Sequence, residues 1–572
     1  MRIKVLGTII FSAFFLLVTG LFYIQIIRGA NYQRLATRNR IRLVPIESPR
    51  GRIFDRNGML LVYNRMSFDV SVITQEVKNK EELLAKLSVR LGTPKERLAT
   101  LLKKNFVTPF QPVRVASDIG KIKAISLEEE RLDLPGVLIE TTPRRHYAYG
   151  VMGSHIFGYL GRINPKELEK LKTYGYVMTD FVGRAGIEQS YDTYLKGTHG
   201  GMQVEVDARG HQMGILGIKE PTKGKDLYLT IDMRVQETME KIFEGGRGAA
   251  CVIDTRDGQV LGLVSAPSFD PNLFMAEENS DQVAHLLSST EYPLLNRAIQ
   301  CDYPPGSVFK VVTASAGLDR GKVTPDKTFY CSGLFFLGGH IFRCWKEDGH
   351  GAVSTQSALK YSCNVYFYQL GRLIGGEDMA NYSMKYGYGQ PTGIDIPGEI
   401  SGLVPNRMWK LVTKREPWYE GETINFAIGQ GYLQVTPIQV VRMMAAVANG
   451  GYLVEPHLVR RIEEVDITQE KKVPVGIPSE IIDLVKGGLV MVVNAPDGTG
   501  KRAAIPGITV AGKTGTAQTG TDKTHAWFSG FAPAEDPKYA LVVFLEFGGK
   551  GGLRATQAAH DIFMQLKNLG YI

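Results

Sequence analysis

At 572 residues the chain is longer than one hydrophobic core usually organises, so about two to four domains are expected. Hydrophobic residues at 44% and charged residues at 22% are the proportions of folded protein, which sets disorder aside. The net charge of +9 is spread along the chain with no RNA- or DNA-binding signature beside it, so no nucleic-acid partner is expected; a basic surface of this kind suits anionic lipid head groups and an anionic polymer.

The first element is Val5 to Ile27, which contains no charge. At about 1.5 Å per residue it can cross a hydrocarbon core about 30 Å thick. It continues into Arg28-Gly29-Ala30-Asn31-Tyr32 without a small-x-small cleavage site, so it reads as an uncleaved anchor rather than a signal peptide. No second run of this length and purity follows, which places nearly all of the chain on one side of the membrane. Arg2 and Lys4 precede the span while Arg28, Arg34, Arg38, Arg40 and Arg42 follow it, and a plain count would put the large part in the cytoplasm.

Beyond the anchor, Arg50 to Asn64 places Asp55, Asn57 and Gly58 between apolar stretches, predicting two short strands. Leucines at helical spacing over 77–105, interrupted at Gly92 to Pro94, predict two short helices. Turn-rich segments follow over 144–163 and 183–201, and polar Lys219 to Asp226 marks a boundary near 220. Two strand-like runs flank Asp257-Gly258, a hairpin signal. Pro304-Pro305-Gly306 cannot be helix interior, whereas the stretch from Ser307 reads as a helix ending near Gly321. Near the C-terminus "GITVAGKTGTAQ", "HAWFSGFAP" and "KYALVVFLEFGG" read as successive strands and "RATQAAHDIFMQLKNL" as a closing helix. Strands joined by short links favour an antiparallel sheet with helices packed on it, an α+β domain.

Three short stretches carry the chemistry. Ser307 and Lys310, three residues apart, share a helix face. Alone, such a serine is more often just a cap. Ser362 and Asn364 flank Cys363 at the start of another apolar helical run, and Lys513-Thr514-Gly515-Thr516 closes a strand with a cation, hydroxyls and backbone N–H groups. The ordered triple of S-x-x-K, S-x-N and K-T-G resembles the penicillin-binding proteins. Its middle motif reads S-C-N, departing from S-D-N while keeping the serine and asparagine. "RGRIFDRNG" and "GRAGIEQSYD" resemble parts of the pedestal of class B members, and no room before Arg50 is left for a glycosyltransferase domain. The resemblance is to the elongation type, the penicillin-binding protein 2 kind.

What the resemblance implies is specific. Residues 1–4 would be a cytoplasmic tail, 5–27 the transmembrane anchor, 40–220 an elongated, mostly-β, dimerisation-like pedestal, and 225–572 the transpeptidase domain. Ser307 would be the nucleophile and Lys310 its base, since a desolvated lysine crowded by a second cation, Lys513, has its pKa lowered. Ser362 would relay a proton to the leaving amine and Asn364 hold the donor amide. The N–H groups of Ser307 and Thr516 would form an oxyanion hole, and Thr514 and Thr516 would grip the terminal carboxylate beside Gly515. The reaction would be D,D-transpeptidation crosslinking stem peptides of lipid II-derived nascent glycan during elongation, with possible minor carboxypeptidase activity and inhibition by β-lactams. The chain would sit in the inner (cytoplasmic) membrane with its catalytic domain on the periplasmic side, overriding the arginine count. Its partner would be a polytopic glycan polymerase of the shape, elongation, division and sporulation (SEDS) family within the elongation machinery.

Four of the five cysteines fall between 301 and 363, and Cys331, Cys344, His350 and Cys363 together suit tetrahedral zinc. The competing reading is a disulfide, as expected of an exported domain; some elongation-type members have a metal site in this region, and that resemblance favours a structural zinc. Cys251 and Cys301 read as buried small hydrophobes. His146, His155, His199, His211, His525 and His560 read as surface or packing residues rather than bases, and glycine-rich Phe547 to Gly552 as a mobile connection beside the site. Three other readings stay open from the residues: a septal transpeptidase, a β-lactamase or β-lactam sensor, and a catalytically inactive scaffold that regulates a glycan polymerase.

Overall fold

The computed structural model describes residues 2–572 apart from 105, 107–108, 110–111, 207–211, 277–278 and 469. His211 therefore lies outside the described residues. The expected anchor is a helix, Arg2–Phe22 continuing as a π-helical turn Tyr23–Ile27, with no buried residue. Among the described residues it is the one helix long and apolar enough to cross a membrane.

The chain forms two compact units, one of Met1–Arg50, Asn64–Arg144 and Lys196–Gly224, the other of Gly51–Tyr63, Arg145–Leu195 and Lys225–Ile572. The expected pedestal, 40–220, is therefore not a single compact unit: two of its segments belong with the C-terminal one. The reason is long-range pairing and a shared core. Ile53–Phe54 runs parallel to Leu227–Leu229, and Ile53, Leu61, Val62, Tyr147, Ile156, Phe157 and Ile187 are buried in the same apolar cluster as the helix after Ser307. Buried Arg145 closes the arrangement, donating to Glu188 at 2.6 Å and to the Gly51 carbonyl at 2.5 Å.

The first unit is mixed rather than mostly β. The predicted helices form as Lys80–Leu91, capped by Asn79 and ended by left-handed Gly92, and Lys95–Lys104, joined by a third, Lys121–Glu129. Leu83, Leu84, Leu87, Leu91, Leu98 and Leu102, spaced for one helix face, pack against Val70, Val72, Val113 and Val115 of an antiparallel pair. Ile41–Ile46, Gly200–Val206 and Gln212–Lys219 form a separate three-stranded antiparallel sheet.

In the second unit both predicted strand groups combine into one five-stranded antiparallel sheet, ordered Val260–Ala266, Gly248–Asp254, Tyr539–Leu545, Thr524–Ala532, Ala511–Gln518. Alternation sends Ala249, Cys251 and Ile253 to one face and Ala250 and Val252 to the other. The first face packs on the helix Pro437–Ala448, and the apolar cluster there extends to Lys310–Asp319 and Asn364–Ile374; the second packs on Met233–Ile242 and the closing helix Arg554–Asn568. This is the α+β arrangement expected of the C-terminal region. The strand carrying K-T-G is an edge of this sheet, the side on which an extended peptide can add.

Candidate functional site

Ser307 lies in a short 3-10 turn, Gly306–Phe309, that runs directly into the helix Lys310–Asp319. In a 3-10 turn residues three apart eclipse one another, so Ser307 and Lys310 share a face. Gly306 has φ +54, and a side chain there would meet the Thr516 carbonyl oxygen at 2.7 Å. Glycine is thus what lets the backbone before the nucleophile lie against the K-T-G strand, beside the N–H of Thr516.

The second motif sits at a helix junction. Ser362 ends the helix Thr355–Tyr361 in the left-handed region at φ 53, and Cys363 caps the next helix, Asn364–Ile374, its sulfur accepting from Tyr366 N–H. This unusual backbone turns the Ser362 hydroxyl between two buried ammonium groups: Lys310 Nζ at 3.3 Å and Lys513 Nζ at 3.1 Å. Lys310 Nζ also donates to the Ser362 carbonyl at 2.8 Å and to Asn364 Oδ1 at 2.7 Å; the Ser307 hydroxyl is not among its partners. Burial pushes the Lys310 ammonium down to about 8, against the raising influence of the neighbouring Cys363 and Cys344. Burial and the Lys310 charge together push Lys513 well below the usual lysine range. Two lysines that resist protonation, bridged by one hydroxyl, form a site that can accept, pass and return a proton.

Thr514 and Thr516 share one side of their strand. Thr516 Oγ1 accepts from Gly551 N–H at 3.2 Å, which places the glycine-rich connection against the site. Asn364 Nδ2 donates to the Arg343 carbonyl at 3.4 Å, so the asparagine expected to hold the donor amide is engaged on both ends of its side chain.

Beside the S-C-N turn, the ligand atoms of Cys331, Cys344, His350 and Cys363 lie within 4.8 Å of one another. His350 Nδ1 is 3.7 Å from Cys331 Sγ and 3.5 Å from Cys344 Sγ. Tetrahedral metal–sulfur and metal–nitrogen bonds of about 2.3 and 2.0 Å set an N–S edge of about 3.5 Å, so this donor set fits such a cation. Both ends of the hairpin Leu334–Leu337 and His340–Arg343 are pinned here. A hydrogen bond from Cys363 holds the Cys344 thiol low, and the same bond keeps Cys363 protonated. All five cysteines are free thiols.

Comparison with known proteins agrees with this geometry. The family model for the Penicillin binding protein transpeptidase domain matches residues 248–564, and that for the Penicillin-binding Protein dimerisation domain matches 45–229. The chain belongs to the class B penicillin-binding proteins of the penicillin-binding protein 2 type. Peptidoglycan D,D-transpeptidase MrdA of Acinetobacter baumannii is 37% identical over 563 residues, spanning 95% of this chain and 84% of the relative. Penicillin-binding protein 2 of Helicobacter pylori, solved with MreC, superposes with a TM-score of 0.84 at 30% identity, over 93% of this chain and 100% of that one. A chain from a peptidoglycan synthase complex that coordinates polymerization and crosslinking does so with 0.75 at 30% identity, over 99% and 98%.

In this penicillin-binding protein the expected histidines stay away from the chemistry. His155 is buried, bonded to the Pro293 carbonyl at 2.9 Å, and burial lowers its imidazole to about 4. His525 packs on Tyr303 and Phe544, His560 bonds the Ala504 carbonyl, His146 meets Tyr63 edge-on, and His199 accepts from Ser48 N–H. Cys251 is fully buried as expected; Cys301 is half-buried against Tyr303. Sequence reasoning passed over Thr499, whose hydroxyl accepts from Thr514 Oγ1 at 3.2 Å, and Gln430, which donates to the Thr516 carbonyl at 3.4 Å. The signal for Thr499 was its "DGTG" setting, which by itself reads only as a turn.

Proposed function

We propose that this protein crosslinks peptidoglycan during elongation by a serine acyl-enzyme route, with Ser307, Lys310, Ser362, Asn364 and Lys513 as its catalytic set. The Ser362 hydroxyl held between two buried lysines carries the reading. Ser307 Oγ attacks the carbonyl carbon of the D-Ala-D-Ala bond and yields its proton to neutral Lys310, while the N–H groups of Ser307 and Thr516 receive the developing oxyanion. The proton passes through Ser362, with Lys513 behind it, to the leaving nitrogen; the C–N bond breaks and D-Ala departs. An amine of a neighbouring stem then attacks the ester, its proton returns through the same groups, and Ser307 is released. The donor stem lies along the open edge of the K-T-G strand, with Thr514 and Thr516 at its terminal carboxylate. A β-lactam acylates Ser307 identically, but its leaving nitrogen stays tethered.

The anchor helix crosses the inner membrane once and leaves the catalytic unit on the periplasmic side, because the stem peptides are there. A SEDS-family polymerase and the elongation machinery are the partners; the likeness to chains solved with MreC and within a synthase complex supports this assignment.

Cys331, Cys344, His350 and Cys363 would hold structural zinc, supported by the donor set and spacing above. The metal would supply charge compensation for thiolates and no step of the reaction. Cys363, between Ser362 and Asn364, ties the cluster to the catalytic turn, so the cluster fixes those side chains from behind.

Intact-mass spectrometry after penicillin exposure tests the reading. A single adduct lasting hours and absent from Ser307→Ala is expected. An adduct that vanishes as penicillin is consumed would indicate a lactamase, and no adduct in folded protein would leave a scaffold.

A further inference from the structure

The segment Asp497-Gly498-Thr499-Gly500 is bonded to the K-T-G strand and to the two residues that precede Ser362, yet the mechanism above uses none of it. Asp497 accepts from Lys360 Nζ at 3.0 Å on both carboxylate oxygens and from Tyr361 Oη at 2.8 Å, which ties it to the two residues that precede Ser362. The two glycines leave the threonine no freedom of position. A side chain at Gly498 would meet the Val492 carbonyl oxygen at 2.3 Å, and one at Gly500 the Val492 side chain at 3.0 Å. Thr499 makes three hydrogen bonds: its N–H at 3.4 Å and its Oγ1 at 3.2 Å both donate to the Lys360 carbonyl, and its Oγ1 accepts from Thr514 Oγ1 at 3.2 Å.

That pattern has a chemical consequence. A hydroxyl that grips a carboxylate must donate to it, and the Thr514 proton is committed to Thr499 instead. The Lys360 carbonyl has two donors from Thr499, so it can release the hydroxyl and keep the N–H without being left unpaired. When a carboxylate arrives, the Thr499 proton turns to Thr514 Oγ1 and the Thr514 proton turns to the carboxylate. Each donor then strengthens the next along a chain of aligned hydroxyls.

We infer that Thr499 is a positioning residue for the terminal carboxylate of the donor peptide, acting through Thr514 by reversing the direction of their shared hydrogen bond. The inference rests on the reading that Thr514 holds that carboxylate, and the two are separable by experiment.

The probes are two thioester acyl donors with the same benzoyl-D-alanyl half, one leaving as thioglycolate and the other as thioglycolamide, so that only the first carries a carboxylate. The second-order rate of Ser307 acylation is measured for each in the full-length protein, in Thr499→Val, Thr499→Ser and Thr514→Val, with thermal stability recorded in parallel. Thr499→Val is expected to lose about five- to tenfold on the carboxylate donor, the worth of one hydrogen bond, with the amide donor unchanged and Thr499→Ser restoring the difference. Equal losses on both donors, or none, would overturn the inference while Thr514→Val stayed carboxylate-selective. A Thr514→Val protein with no selectivity would overturn the carboxylate reading itself, and this inference with it. Should Thr499→Val fail to fold, Thr499→Ala carries the same comparison with the same outcomes.

Discussion

The helix Lys310–Asp319 and the segment Cys331 to His350 both reach the same serine–lysine cluster, but different forces hold them there. Every residue from Lys310 to Leu318 is buried, packed among the helices Asn364–Ile374, Gly376–Lys385 and Ser479–Asn494, so close packing fixes the base. The hairpin within 334–343 has no buried residue in either strand, and it exposes Phe336 and Ile341. Cys331, Cys344, His350 and Cys363 gather at its base, Phe335 and Phe342 pack on Tyr368, and Asn364 and Tyr368 bond the Arg343 carbonyl. One half of the site is set by apolar burial that cannot be removed without unfolding; the other, on the zinc proposal, is set in part by a cluster whose metal a chelator would remove. A catalytic asparagine that contacts both halves should therefore respond to metal content in a protein that stays folded.

Removing the packed half's chemistry should have the largest effect. Lys310→Ala is expected to slow penicillin acylation of Ser307 by about a thousandfold, as loss of a general base does, while circular dichroism still reports the native sheet. A retained rate would mean that another group, Lys513 first, takes the proton. Next comes the ligand-held half. Cys344→Ser should abolish bound zinc, lower Tm by several degrees and slow acylation by about ten- to a hundredfold, and a chelator should reproduce this reversibly in the unmodified protein. Full stability with no change in metal content would remove the zinc proposal and leave the hairpin held by its hydrogen bonds and the packing of Phe335 and Phe342 on Tyr368.

Smaller still is the effect of pH. Burial lowers the Lys310 pKa to about 8, and only the neutral amine accepts a proton. Acylation should therefore rise with pH, by about tenfold between pH 7 and pH 9, and flatten above. A flat profile across that range would show that Lys310 is already neutral at pH 7. The smallest change should come from the hairpin's exposed tip. Phe336→Ser is expected to move stability by less than about 0.5 kcal/mol and to leave acylation unaltered, since no buried contact is lost. A large loss of acylation there would mean that the hairpin itself touches the acylating substrate.

Much of the site was legible beforehand because its chemistry depends on residue types at short spacing. Ser307 and Lys310 are one turn apart in any helix, and Ser362, Cys363 and Asn364 are neighbours in the chain. The sheet strands were legible from apolar runs of strand length, and the hairpin from Asp257-Gly258. Thr499 was not, because a threonine between glycines carries no signal until a strand fifteen residues on brings Thr514 to it. Nor was the grouping of Gly51–Tyr63 with the catalytic unit, which depends on Ile53 pairing with Leu227 far along the chain.

The amino-acid sequence determined the membrane-length apolar helix, the α+β class and the identity of the reactive side chains, since these follow from local composition and periodicity. Tertiary structure decided how those side chains meet. It brought Lys310 and Lys513 to the same hydroxyl, gathered three cysteines and a histidine from either side of a hairpin, and buried both lysines deeply enough to lower their proton affinity. Proximity and desolvation are properties of the packed chain, and no stretch of residues carries either alone.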